Sequence, residues 1–355
     1  MSSNLNTDLV VEALKDVMVP GTKVDVMKVS LIGEIKVTGG EVRVTVVKTS
    51  ERQETIDGVR QAVAERLGTL PGVLSVQVDI DDRSAPAKQT GPHGHSPDPW
   101  ADRKDLPGVK RIIAVASAKG GVGKSSVAVN LALALKARGH RVGLMDADVY
   151  GPSVPTMLGL SGDPQITPDK KVVPFESHGL QVMSMGLLMP EDQPVVWRGP
   201  LVMSAVKQFL QDVLWTDLDY LVIDMPPGTG DAQLTLVQTV PLAGVVMVTT
   251  PQEVALADVR RGIVMFAKVE VPVLGIVENM SYFVCPDSGK QYDIFGHGGG
   301  AAVAAKYDLP LLGEIPIDPA IRKGGDAGEP AVLAEGSAIR EAFLQLADKV
   351  SHLAE

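Results

Sequence analysis

One short stretch limits the possible folds more than any other: ASAKGGVGKSS at 116–126, set between the apolar run 112–117 and the helix-forming VAVNLALALKARG. Gly120, Gly121 and Gly123 let the backbone turn inward, so that successive N–H groups converge on one point. The helix that follows adds the positive end of its dipole there. Converging N–H groups and a helix N-terminus suit a phosphate chain. The turn works only where a strand feeds it and a helix leaves it, so the surrounding chain has to be α/β with the loop at a strand's carboxyl end.

The rest of the C-terminal sequence agrees. Apolar runs at 142–146, 180–185, 220–224, 244–250, 271–277 and 311–317 alternate with helical stretches. Runs such as YLVID and GVVMVTT are apolar on consecutive residues, as strands covered on both faces must be. Helices between such strands imply right-handed crossovers and a doubly wound, mostly parallel sheet. A last helix at 337–353 puts Ile339, Phe343, Leu346, Val350 and Leu353 on one face; its polar side is not basic, so the stripe reads as core packing rather than membrane binding.

Residues 1–82 read as a separate small α/β domain. A helical stripe of Val10, Leu14, Val17 and Met18 stops at Pro20 and Gly21, and strands are expected at 24–29, 32–37, 41–49 and 73–80, with a helix at 55–67. Residues 83–108 are rich in Pro, Ser, Gly and Lys and read as a linker, with His93 and His95 as solvated filler rather than a metal tract. The third segment, 109–355, carries the phosphate loop.

Composition narrows the partners. The formal net charge of −10 makes non-specific binding to nucleic acid or anionic lipid a poor expectation. A single cysteine, Cys285, rules out an intrachain disulfide and fits a reducing compartment. With no secretory pattern at the start and no apolar stretch long enough to span a bilayer, a cytoplasmic protein without membrane or nucleic-acid partners is expected.

Within the loop, the backbone of Gly120, Gly121, Val122 and Gly123 would cradle the β- and γ-phosphates of ATP. Lys124 would place its ammonium between them, Ser125 would give a hydroxyl to Mg²⁺, and Ser126 would reach the α-phosphate. A metal needs further oxygen ligands, and two strand ends supply them. Asp224 ends one strand and is expected to hold Mg²⁺ through water; Asp146 and Asp148 follow another, with Asp146 supporting the metal shell and Asp148 orienting the attacking water. The turn Pro226-Pro227-Gly228-Thr229-Gly230 reads as a sensor of the γ-phosphate.

Ala118 stands where an ordinary loop of this type has its first glycine, and Lys119 follows it. That lysine marks the deviant P-loop ATPases, which include partitioning and division-site ATPases, nitrogenase iron protein and the Mrp-type iron–sulfur cluster carriers. The chain resembles the last group over much of 109–355, in VVWRGPLVMSAVKQFLQDV (195–213), DYLVIDMPPGTGDAQLTLVQ (219–238), ENMSYFVCPDSGKQYDIFGHGGG (278–300) and LLGEIPIDPAIRKGGDAGEP (311–330). The first 82 residues resemble the small domain that often precedes this ATPase. The resemblance implies a slow ATP hydrolase acting as a switch in a homodimer, with Lys119 reaching the partner's nucleotide. It implies base recognition by Asn279 and by the loop around Pro316 and Asp318. It also implies a bridging iron–sulfur cluster, of 4Fe-4S type, held by a Cys-x-x-Cys pair from each subunit and passed to apo-protein clients.

Here the sequence departs from that pattern, because Cys285-Pro286-Asp287-Ser288 lacks the second cysteine. A homodimer would bring two thiolates instead of four, leaving the other positions to Asp287, His297, an exogenous thiol or a client's cysteine. KTSERQ (48–53) likewise stands where relatives of the small domain often carry a cysteine. Two other readings stay open: a nucleotide-switched scaffold without a stable cluster, and a partitioning-type ATPase, which the acidic balance disfavours.

Overall fold

The computed structural model describes residues 7–20, 22, 25–26, 31–38, 40–48, 53–82, 103–188 and 199–355. Most of the expected strand at 24–29, most of KTSERQ, most of the 83–108 linker with His93 and His95, and the Trp197-Arg198 pair lie outside the described residues; Asp25 forms only an isolated bridge, and Val26 a turn. The chain divides into two compact units, Met1–Ser96 and Pro97–Glu355.

In the first unit, helix α1 (Thr7–Leu14) and strands β1 (Ile32–Thr38) and β2 (Glu41–Lys48) precede helix α2 (Gln53–Gly68) and strand β3 (Ser75–Asp82). β1 runs antiparallel to β2, whereas β3 runs parallel to it, because α2 carries the chain back across one face. Val42, Val44 and Val46 alternate into the core and meet Ile56, Val59, Val63 and Leu67, which share one face of α2. The helical stripe expected to run on to Met18 is shorter. α1 ends at Leu14, and Met18 is 51% exposed with its backbone bridged to Asp25, so the residue before the Pro20 turn has left the helix.

The second unit begins with strand β4 (Val109–Ala116), helix α3 (Lys124–Ala137), strand β5 (Val142–Asp146), helix α4 (Val154–Met157) and strands β6 (Phe175–Ser177) and β7 (Leu180–Ser184). Helix α5 (Gly199–Asp212), strand β8 (Leu218–Asp224), helix α6 (Asp231–Thr239), strand β9 (Gly244–Thr249), helix α7 (Glu253–Lys268) and strand β10 (Val273–Asn279) follow. The chain then forms a small hairpin, β11 (Phe283–Val284) and β12 (Gln291–Tyr292). It closes with helix α8 (Gly299–Lys306), strand β13 (Leu311–Ile315) and helices α9 (Pro319–Ala327) and α10 (Ala338–Leu353).

Eight of these strands make one sheet in the order β13-β10-β9-β4-β8-β5-β7-β6, parallel throughout except for the edge pair β6–β7. β4 buries Ile113 and Val115 against α3 and α10 on one face, and Ile112, Ala114 and Ala116 among residues of α5, α6 and α7 on the other. That two-sided burial explains the consecutive apolar runs. The doubly wound, mostly parallel α/β fold is as expected, and each of the seven apolar runs is a strand of this sheet. The short β6 and the β11–β12 hairpin gave no periodic signal to find. α10 starts on Ser337, whose hydroxyl accepts the Arg340 N–H at 3.1 Å; Ile339, Phe343, Leu346 and Val350 of its expected stripe pack into the core, whereas Leu353, in the last turn, is exposed. Strand order reverses around β4: the chain reaches β5 on one side through α3 and later reaches β9 on the other, which opens a crevice at the strands' carboxyl ends.

Candidate functional site

Residues 117–123 leave the carboxyl end of β4 and pass directly into α3. Gly121 and Gly123 take φ of 81° and 80°, backbone that a side chain disfavours. At Gly123 space forbids one as well, since a Cβ would sit 2.2 Å from Asn279 Nδ2. Asn279 is buried at the end of β10 and donates that Nδ2 to the Val122 carbonyl at 2.8 Å. The side chain expected at a base thus also braces the loop, with its Oδ1 as the acceptor that remains. The turn after β8 is bonded to the same loop, Gly228 N–H donating to the Ser117 carbonyl at 2.9 Å.

The charged groups converge behind the loop. Lys124, only 6% exposed, donates to Asp224 Oδ1 at 2.5 Å and lies 3.9 Å from Asp148 Oδ2. Its neighbour Ser125 places a hydroxyl near the Lys124 ammonium, at 3.4 Å. Asp146 and Asp224 are side by side in register on β5 and β8, both fully buried. Burial and the charge of Asp224 push the Asp146 carboxyl up to about 7, against hydrogen bonds from Asp148 N–H and Ser184. Burial also pushes the Asp224 carboxyl up, opposed by the Lys124 ammonium and the Ser125 hydroxyl. Asp146 is held by Asp148 N–H, Val154 N–H and the Ser184 hydroxyl, and Asp148 Oδ1 accepts the Tyr150 and Gly151 N–H groups. Asp224 Oδ2, in contrast, is buried with no hydrogen-bond partner. A buried orphan carboxylate oxygen close to a serine hydroxyl fits a hard cation that takes oxygen ligands, as Mg²⁺ does. Asp146, with both oxygens already bonded, suits a supporting place behind that site.

Two cavities meet here. One, of about 250 Å³, is lined by Gly120, Gly121, Gly123, Lys124, Ser125 and Ser126 together with Asp148 and Pro227. A second, of about 790 Å³, shares Gly123, Ser126, Ser153 and Met157 with the first and continues to Asn279, Pro316 and Asp318. Its size is that of a small-molecule site. The structure therefore brings Gly120, Gly121, Gly123, Lys124, Ser125, Ser126, Asn279, Pro316 and Asp318 to one continuous crevice, while Val122 packs into the core; two qualifications apply. Asp318 uses Oδ1 to cap α9 through Ala320 N–H at 2.7 Å. Lys119 is exposed and joins no ion pair among the described residues. Sequence reasoning missed Ser153, Met157, Ile294, Phe295 and Arg322 in the cavity walls, since none belongs to a motif with phosphate chemistry.

Cys285 is set apart, in the turn of the β11–β12 hairpin, half-buried and followed by exposed Pro286, Asp287, Ser288 and Gly289. The turn is closed by Cys285 N–H to the Lys290 carbonyl and Gly289 N–H to the Cys285 carbonyl. The Ser288 hydroxyl, helped by the Ser288 and Asp287 N–H groups, draws the thiol below its ordinary range, toward thiolate. Among the described residues, no cluster of three or more His, Cys, Asp or Glu side chains stands ready to hold a metal within one chain.

Residues 108–351 match the family model described as NUBPL iron-transfer P-loop NTPase. The chain belongs to that family. Residues 7–80 match a second model, iron-sulfur cluster assembly protein. Iron-sulfur cluster carrier proteins of Aquifex aeolicus and Synechocystis are each 46% identical to this chain, with 98% of both partners covered. The carrier protein of Escherichia coli K12 is 55% identical over 69% of this chain and 67% of its own length. Among solved structures, a nucleotide-binding protein from Archaeoglobus fulgidus in complex with ADP is 41% identical with a TM-score of 0.56, covering 63% of this chain and 88% of that one. The cell division ATPase MinD of Pyrococcus furiosus is 27% identical with a TM-score of 0.50, covering 68% and 99%. This family member is thus an iron–sulfur carrier-type P-loop NTPase, and no helix among its described residues is long and apolar enough to cross a membrane.

Proposed function

We propose that the protein is a cytoplasmic, homodimeric carrier that binds and slowly hydrolyses ATP as a switch, and that passes an iron–sulfur cluster to apo-protein clients through Cys285. The observation that carries the nucleotide half is the buried, unpartnered Asp224 Oδ2 behind a glycine cradle that opens into a cavity roomy enough for a nucleoside. Gly120 to Gly123 and Lys124 grip the phosphates, and Ser126 contacts the α-phosphate. Ser125 and Asp224 would hold Mg²⁺, with Asp146 behind them; the ion neutralises phosphate charge. Asp148 accepts a proton from, and so orients, the water that attacks the γ-phosphorus, while the β–γ bridging oxygen leaves with ADP. Lys119, exposed at the loop, acts on the nucleotide of the second copy. The boundaries 1–82, 83–108 and 109–355 belong to this proposal, with the first segment serving client docking.

The cluster is cargo, and the sole cysteine sets how it is held. Two thiolates per homodimer do not complete a 4Fe-4S cluster, so the remaining ligands come from a small thiol or the client. That same shortage favours the second reading, a nucleotide-switched scaffold with no cluster. Anaerobic reconstitution separates them. Wild type should retain iron and sulfide in stoichiometric amounts per dimer and activate an apo-ferredoxin, and Cys285→Ser should do neither. Absence of iron and sulfide from both proteins would leave only the scaffold, and equal retention by both would remove Cys285 from the cargo site.

A further inference from the structure

The hairpin that carries Cys285 has two roots, and each ends at a wall of the larger cavity. On the entering side, Ser281 N–H donates to the Ile315 carbonyl at 2.9 Å, and Ile317 N–H donates to the Tyr282 carbonyl at 2.7 Å. Those bonds tie the start of β11 to the loop of Pro316 and Asp318. On the leaving side, β12 is followed within three residues by Ile294 and Phe295, which line the same cavity. The segment is fixed again further on. Gly300 N–H donates to Glu278 Oε2 at 2.5 Å, and the other oxygen of Glu278 accepts the Ser281 hydroxyl at 2.6 Å. Glu278 is fully buried and directly precedes Asn279. The stretch from Asp293 to Gly300 is therefore a short bridge from the hairpin to β10.

Ile294 is 56% exposed and Phe295 38%. Single exposed apolar residues need no explanation. These two are adjacent and line a cavity continuous with the phosphate cradle. The group that reaches such a place is whatever is attached to the phosphates, and it needs an apolar face for Phe295 and a polar edge for the Asn279 Oδ1. A purine base has both. We propose that Ile294 and Phe295 pack against the base of the bound nucleotide, so that the base, rather than the phosphates, fixes the Cys285 hairpin. The proposal rests on the ATP reading above and adds how nucleotide occupancy reaches the cluster end: the base bridges the two roots, and its departure frees one of them.

Tripolyphosphate with Mg²⁺ separates the two ends of the ligand, because it fills the phosphate cradle without a base. Binding of MgATP and of magnesium tripolyphosphate is measured by calorimetry in wild type, Phe295→Ala and Ile294→Asn. Alkylation by iodoacetamide is timed alongside, and with one cysteine in the chain it reads Cys285 alone. Phe295→Ala should weaken MgATP about 5- to 100-fold, the range for losing an aromatic partner of a base. It should leave tripolyphosphate affinity unchanged, which also reports an intact fold. Ile294→Asn should act in the same direction, less strongly. MgATP, not tripolyphosphate, should slow alkylation in wild type, and Phe295→Ala should abolish that protection. The idea is overturned if ATP keeps its full advantage over tripolyphosphate in both variants, or if tripolyphosphate protects the thiol as well as ATP does. A wild-type chain that binds neither ligand would overturn the ATP reading as well, a result distinct from the first two.

Discussion

Asp219 and Asp224 lie on the same strand, β8, and meet opposite surroundings. Near the strand's amino end, Asp219 is fully engaged: Oδ1 accepts from Lys110 Nζ at 2.8 Å and from Arg141 at 3.2 Å, and Oδ2 accepts the Arg141 backbone N–H at 2.9 Å. Arg141 and Lys110 together hold its carboxyl well below the usual carboxylate range. At the carboxyl end, Asp224 is buried, its carboxyl pushed up, and one of its oxygens has no partner. The first aspartate is completed by the chain itself. The second keeps one oxygen unbonded, the oxygen that the proposed Mg²⁺ would take. The β11–β12 hairpin is incomplete in its own way, with Ser288 beside Cys285 where the family pattern has a second cysteine. Trp215 Nε1, Gln233 Oε1 and Gln252 Oε1 are buried without partners too, so it is the glycine cradle and the serine hydroxyl near Asp224, together with the missing bond, that point to a ligand there.

The hardest blow to this contrast is Lys124→Ala. Lys124 is the chain's own counter-charge for Asp224, and it is the only buried lysine among the described residues. Removing it deprives the phosphates of their ammonium and should weaken MgATP on the order of 100-fold or more, as measured by calorimetry. Asp224 can accept a proton in the variant, so the fold should survive. Unchanged ATP affinity would mean that the incomplete carboxyl end serves some other ligand.

Completing the hairpin is the next test. Ser288→Cys supplies the second thiol of the Cys-x-x-Cys pattern, so a homodimer gains two tethered ligands in place of free ones. Tethering raises effective concentration, and loss of reconstituted iron to a chelator should slow by on the order of 10²-fold, with transfer to an acceptor slowing too. Identical loss from both proteins would show that position 288 does not face the cargo.

How far the sequence revealed all this follows the same division. The phosphate end was legible because its chemistry is local: glycines at 120, 121 and 123, a lysine, a serine, and carboxylates closing apolar runs that burial on both faces forces to be strands. What escaped was anything fixed by distant packing. That Asn279 would clash with any side chain at 123, or that Glu278 would anchor Gly300, depends on β10 ending beside β9 and β13, which no spacing encodes. The β11–β12 strands are two residues each, too short for a period. Cys285 itself was singled out through resemblance, not through any pattern of its own. In the small unit, the stripe through Met18 misled because Val17 is buried without being helical.

The smallest expected effect lies at the amino end of β8, in Asp219→Asn. A carboxyl lowered in the folded state contributes stability above its unfolded value of about 3.9 and loses it as the pH falls toward the folded value. The asparagine variant keeps the shape without that proton linkage. Wild type should therefore melt about 1–2 °C above the variant at pH 7, a modest gap because Lys110 and Arg141 are solvent-exposed and salt screens them. The gap should narrow as the pH is taken below about 4, because the folded wild type then begins to give up the advantage that its ionised carboxylate held over the unfolded chain. Nucleotide affinity should stay the same, since Asp219 completes its bonds within the fold. A gap that widened in acid would show that Asp219 is no better satisfied than Asp224, and the distinction between the two ends of the strand would fall.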